Sequence, residues 1–233
     1  RDEFLATVTE ELGPDEPMRK SKYRAGHQNY LIDVATLYFT ADRRTEAQEC
    51  LDWVRTHFKP GDREWSMSLE DFVVYKLHEE GAINNDMASM LSQVAVQTAL
   101  EALSQGDEET FQAKYDYGYY SIYKNYQEAA QGRNMLPPWP FIVRNIVLEM
   151  LVIPRNRGLD LDINERSYLY SQLDSIIPGF RAYIYDTMLA SPLPEECREA
   201  EIDFDVAFPA PPGLEEFRER LREARETPAV TPD

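Results

Sequence analysis

Metal or acid–base chemistry in this chain would have to come from a sparse set of residues. The three histidines, His27, His57 and His78, form neither an HExxH motif nor any i,i+4 pair, so they offer no ready zinc site. Asp160-Leu161-Asp162-Ile163-Asn164 imitates the opening of a calcium loop. Glu165 stands where such a loop needs glycine and Ser171 where its bidentate glutamate belongs, so the stretch reads as a helix cap with solvated carboxylates. Arg155 and Arg157, just before Gly158, have the chemistry to grip a phosphate or carboxylate, although pairing with the chain's own acids is the simpler outcome. Carboxylate pairs such as Glu79/Glu80 and Asp203/Asp205 are too common in so acidic a chain to identify a general acid–base pair. The sequence contains no nucleophile elbow, phosphate loop or dinucleotide fingerprint. Cys50 and Cys197 are the two cysteines; they lack CxxC spacing, and Cys50 beside Leu51 reads as a buried, inert thiol. No catalytic, cofactor-binding or metal-ligating residue is assigned, and no cofactor is expected.

The tyrosine run Tyr115, Tyr117, Tyr119, Tyr120, Tyr123 and Tyr126 is the most unusual local composition. Helical spacing puts Tyr115, Tyr119 and Tyr126 on one face with Ile122, while Tyr117, Tyr120 and Tyr123 partly face elsewhere. Exposed tyrosines supply large contact area at low entropic cost and are enriched at interfaces. Pro137 to Pro140 satisfies the PxxP pattern of polyproline recognition. Helix-start prolines packed beside Trp139 explain it more simply.

Elements must position these groups, and composition narrows which. The 233 residues can bury a substantial core, and 43% hydrophobic content is that of a globular chain. Ten glycines and abundant Glu, Leu, Ala and Gln favour helices, and the fifteen prolines are clustered, as between helices. The net charge of −18, from 42 acidic and 24 basic residues, disfavours both nucleic-acid backbones and anionic lipid surfaces. The longest apolar run, Phe141 to Ile153, is broken by Arg144, Asn145 and Glu149 and falls short of the ~18–20 residues of a membrane span. Residue 1 is Arg, so the chain reads as processed or excised from a longer polypeptide. The compartment stays open.

Periodicity predicts a short helix over Glu3–Leu12, then an antiparallel pair from about 21 to 40 and from about 45 to 58, closed by Lys59-Pro60-Gly61-Asp62. Ser68, with Asp71 three residues on, caps a third helix carrying Leu69, Phe72, Val73 and Leu77, which stops at Gly81. Asn85 or Asp86 caps a fourth, bearing Met87, Leu91, Val94, Ala95, Ala99, Ala102 and Leu103. The tyrosine-rich fifth helix ends at Gly132-Arg133-Asn134. Beyond Pro137-Pro138-Trp139-Pro140, Phe141, Ile142, Ile146, Val147 and Met150 mark a buried helix; Asn164 caps the next, which Pro178-Gly179 breaks before Phe180, Tyr183, Ile184 and Met188. The acidic, Pro-rich stretch to Pro212 reads as extended along the surface, followed by a helix with Leu214, Phe217 and Leu221 on one edge. The reading is all-α, divided into 1–136 and 137–233.

Residues 28–61 resemble the tetratricopeptide repeat, a helix-turn-helix unit. Ala47 aligns with the small residue of its second helix, Ala35 with that of the first, Tyr38 with the aromatic position, and Leu31, Val34, Leu51 and Val54 with apolar ones; Pro60 lies one residue late. A weaker match runs over 92–125, with Ala95, Ala99, Ala102 and the Gly106-Asp107 turn, but Phe111 stands at a small-residue position. The resemblance implies antiparallel hairpins stacked in a right-handed array with extra C-terminal helices packed on it, and a concave surface that binds peptides or proteins. Its groove positions fall on Asn29, Ile32, Thr36, Phe39 and Thr40, and in the weaker unit on Gln93, Val96, Leu100 and Leu103. None is Lys or Arg, so the basic clamp for a partner's terminal carboxylate is missing there, and self-filling of the groove is the simpler expectation.

These readings converge on a non-catalytic helical-repeat scaffold for protein–protein contacts, with Ile32, Phe39, Tyr117, Tyr120 and Tyr123 as partner-binding residues. Two alternatives compete: an all-α enzyme or small-molecule binder with an anion pocket near Arg155, Arg157 and Asp160, and a purely structural domain of a multidomain protein. A protein or peptide partner is expected, with no nucleic acid and no membrane insertion by this segment.

Overall fold

A computed structural model describes residues 17–58, 66–78, 84–130, 132 and 134–226. The expected helix over Glu3–Leu12, the turn at Lys59 to Asp62 with its Pro60, the pair Glu79/Glu80 and the stop at Gly81 lie outside the described residues. Regular structure is helical throughout what is described, and no strand occurs there. No helix among these residues is long and apolar enough to cross a membrane. The chain forms two compact units, residues up to 95 with 117–136, and 96–116 with 137 onward.

In the first unit α1 (Pro17–Thr40) and α2 (Arg44–Phe58) pack along each other. Between them Asp42 takes a left-handed conformation (φ 60°), while Arg43 N–H donates to the Tyr38 carbonyl at 2.8 Å and ends α1. Leu31, Ala35, Ala47, Leu51 and Val54 are buried, the small alanines allowing close helix approach. Onto them pack Leu69, Phe72, Val73 and Leu77 of α3 (Leu69–His78) and Met87, Leu91 and Ala95 from the start of α4 (Asn85–Ser104). Ser68 caps α3 as expected, its Oγ accepting from Asp71 N at 3.1 Å. The cap of α4 is Asn84, one residue before the expected pair; its Oδ1 accepts from Met87 N at 2.9 Å.

The expected fifth helix is not uniform. It divides into α5 (Glu108–Asp116), a π-helix over Tyr117–Lys124 and α6 (Asn125–Ala130). In a π-helix residues five apart are bonded in register. Tyr117 and Ile122, which an α-helix would separate by about 140°, therefore both reach the first unit's core. Gln127 closes this stretch, donating from Nε2 to the Leu136 carbonyl at 3.0 Å and accepting from Leu136 N at 3.1 Å.

The second unit comprises the rest of α4, α5, α7 (Trp139–Val152), a 3-10 turn (Pro154–Arg157), α8 (Ile163–Ile176), α9 (Phe180–Leu189), α10 (Leu193–Glu199), α11 (Phe204–Ala207) and α12 (Leu214–Glu226). Ile142, Val143, Ile146, Val147, Met150 and Leu151 of α7, with Leu169 and Leu173 of α8 and Ile184 and Met188 of α9, are buried. The cap of α8 is Asp162, not Asn164: its Oδ1 accepts from Glu165 N at 2.9 Å and Glu165 Oε2 accepts from Asp162 N at 2.8 Å. The stretch expected to be extended instead forms α10 and α11 and is tied to α8. Phe208 is fully buried beside Tyr170, Tyr170 Oη donates to the Pro209 carbonyl at 2.9 Å, and Ser167 Oγ to the Ala207 carbonyl at 2.6 Å.

Candidate functional site

The residues expected to bind a partner fall into two groups. Ile32, Phe39 and Tyr117 pack against the core of the first unit, Phe39 and Tyr117 meeting edge to face at 6.5 Å. The Tyr117 hydroxyl lies against Thr40, whose own Oγ1 donates to the Thr36 carbonyl at 2.9 Å, and it makes no hydrogen bond of ordinary geometry. Burial pushes its pKa up to about 12. Tyr120 is 57% exposed, and Tyr123 is half-buried, stacked on Tyr119 and accepting a hydrogen bond from Gln127. Of the other groove positions of this unit, Thr36 and Thr40 turn their hydroxyls back to α1 carbonyls and are buried, while Asn29 is exposed.

The groups with chemical potential are mostly committed elsewhere. His27 is buried edge-on to Trp53 at 5.2 Å, and burial lowers its pKa. His57 stacks on the same indole at 4.0 Å; the side chain of His78 lies outside the described residues. The Asp162 carboxylate of the calcium-like stretch is used in the α8 capping box. Among the described residues no three His, Cys, Asp or Glu side chains gather in a way that could hold a metal. The side chains of Arg155 and Arg157 are outside the described ones.

Near them, a cleft of about 410 Å³ is lined by Val152, Ile153, Asp160, Arg166, Glu196 and Glu199. Arg166 is only 5% exposed; its Nη1 donates to the Leu151 carbonyl at 3.1 Å and its Nη2 pairs with Glu196 at 2.8 Å. That pairing neutralises the buried cation, and among the described side chains Asp160 and Glu199 lie on the same lining. Cys197 is buried beside this pair, and burial pushes its thiol pKa up despite the opposing Arg166 charge, which disfavours a reactive thiolate.

A different arrangement occupies the other side chains of the second unit. Pro138, Pro140, Phe141 and Arg144 from the start of α7, Ile177, Pro178 and Gly179 between α8 and α9, Phe180 and Tyr183 of α9, and Phe217 of α12 line an apolar cleft of about 390 Å³. The sequence builds it by local rules. Pro138 and Pro140 start α7, and their rings leave no backbone N–H at the mouth. Gly179 takes a left-handed conformation (φ 77°) that lets the chain turn from α8 into α9. Asp174 locks this elbow, accepting from Arg181 N at 3.0 Å and from Arg181 Nε at 2.7 Å. Arg218 ties α12 to α9 through Asp186, whose carboxyl it holds below the ordinary range, and Phe217 then meets Tyr183 edge to face at 6.2 Å.

Two aromatic walls of this cleft remain in water: Phe141 is 46% exposed and Tyr183 43%. Periodicity counts Phe141 among the apolar positions of a buried helix, and its exposure corrects that expectation. Between the two walls the Arg144 guanidinium lies over the Tyr183 ring at 4.4 Å. Its Nε is buried without an acceptor, and no carboxylate among the described residues pairs with it. An N–H of this kind left unsatisfied costs about 1–3 kcal/mol. Sequence reading passed over the cleft because Arg144 served only to break an apolar run. The available signal was the pair of i,i+3 placements, Phe141/Arg144 and Phe180/Tyr183, each directly after a proline-marked helix start. No family model matches this chain, and no curated protein or solved structure matches it.

Proposed function

We propose that this chain is a non-catalytic helical scaffold that mediates protein–protein contacts, its hairpin of α1 and α2 packed in the manner of a tetratricopeptide repeat. The observation that supports this best is the preformed cleft of the second unit, where Phe141 and Tyr183 stay exposed around a guanidinium that pairs with no carboxylate among the described residues. Aromatic residues and arginine are the types enriched at interface centres, and exposed apolar walls gain most when a partner covers them. Tyr120, on the π-helix of the first unit, offers a second exposed contact residue, with Tyr123 beside it; Ile32, Phe39 and Tyr117 act as the packed base that holds this segment in place. The test is affinity capture by the full chain from an extract of its source cells, run beside Phe141→Ser, Tyr183→Ser and Tyr120→Ala variants. A partner retained by the native chain and lost with the cleft variants supports the reading. Identical capture by all four proteins sinks it.

A further inference from the structure

The geometry points to the occupant of the apolar cleft: a peptide segment that inserts an aromatic or aliphatic side chain and presents a carboxylate to Arg144. This deepens the reading of the cleft as a docking surface and rests on it. The argument begins with charge. The chain carries 42 acidic against 24 basic residues, so its cations find partners readily. Arg43, Arg44, Arg55, Arg166, Arg181, Arg198, Arg218 and Arg222 all sit in ion pairs. Arg144 has none among the described residues, although its Nε is removed from water.

Its surroundings say what would complete it. The other lining residues are apolar or aromatic, and three are prolines without an N–H. The guanidinium carbon lies 4.4 Å from the centre of the Tyr183 ring, and the acceptor that matches a guanidinium edge with two parallel bonds is a carboxylate. The low-dielectric walls strengthen such a pair relative to open water. An apolar side chain on the same segment would cover Phe141 and Phe217, which a small anion alone would leave exposed. The occupant is therefore amphiphilic, and the cleft volume of about 390 Å³ suits one or two side chains rather than a folded domain.

The test uses the full chain and matched pools of short end-blocked peptides containing Phe and Leu, differing only in whether the adjacent position is Glu or Asp, Gln or Asn, or Lys. Fluorescence anisotropy is expected to show the acidic pool binding at least about tenfold more tightly than the amide pool, the scale of one charge-assisted contact. Arg144→Gln should erase that preference, Arg144→Lys should restore part of it, and Phe141→Ala should weaken every pool. Equal binding of acidic and amide pools, or a preference that survives Arg144→Gln in a variant with native circular dichroism, overturns the carboxylate assignment and leaves the docking reading standing. The comparison of pools on the native chain needs no variant to fold. Failure of every pool to bind overturns both, and binding of decanoate in its place assigns the cleft to a small carboxylate amphiphile.

Discussion

Tyr117 shows how one atom can cost a fold stability and still be kept. Its ring fills the first unit's core beside Phe39, but its hydroxyl is buried with no well-formed hydrogen bond. Removing an unsatisfied buried hydroxyl while preserving the ring should help, so Tyr117→Phe is expected to gain about 1 kcal/mol in urea denaturation. The same hydroxyl makes stability fall in alkali. The unfolded chain releases a phenolic proton near pH 10, whereas the fold holds this one to about 12. The contribution is intact below pH 10 and is lost as pH rises through 12. Tyr117→Phe should flatten part of that fall, and Tyr170 and Tyr185, whose pKa values burial also raises, should maintain another part of it. A variant less stable than the native chain would show that Thr40 accepts a real hydrogen bond from this hydroxyl.

At the scale of elements, caps and breakers were legible wherever a side chain acts on its own backbone. Ser68 and Pro178-Gly179 do what their types dictate, and the caps at Asn84 and Asp162 lie within two residues of the expected ones. Several neighbouring residues there can cap equally well, and packing chooses among them. The π-helix was not legible, because spacing alone carries no sign of a wider turn; it appears where Tyr117 and Ile122 must enter one core together. The stretch after α10 misled for a related reason. Proline and acid content indicate a surface path, yet the burial of Phe208 and the Tyr170 and Ser167 hydrogen bonds tie it to α8. Phe208→Ala is expected to cost about 3–5 kcal/mol in denaturant unfolding, and Phe208→Leu should recover most of it. A loss below about 1 kcal/mol would mean that this segment is not part of the core.

For the molecule as a whole, the compact units do not follow the order of the chain. Residues 96–116 pack with the segment beyond Pro137: Tyr115 meets Trp139 edge to face at 5.6 Å, and Glu165 adds to the burial that raises the Glu101 pKa. A fragment of residues 137–233 therefore lacks part of its own unit, and Trp139 is its single indole. Its emission is expected to be red-shifted relative to a buried indole, and its thermal unfolding should lack a cooperative transition. Blue emission with a sharp transition would show that the later helices fold unaided.

Sequence alone determined that this chain is helical, which residues start and stop most helices, and that its net charge is strongly negative. Those properties follow from local sterics, hydrogen bonding and summed charge. It also marked Phe141 and Tyr183 as apolar positions on helices, but not that they stay in water. Periodicity reports which side of a helix is apolar, and only the neighbours brought by the tertiary fold decide whether anything covers that side. The setting of Arg144 is of the same kind: pairing is a property of distances between elements, and no spacing along the chain records that α7 carries its guanidinium to Tyr183, where no carboxylate among the described residues pairs with it.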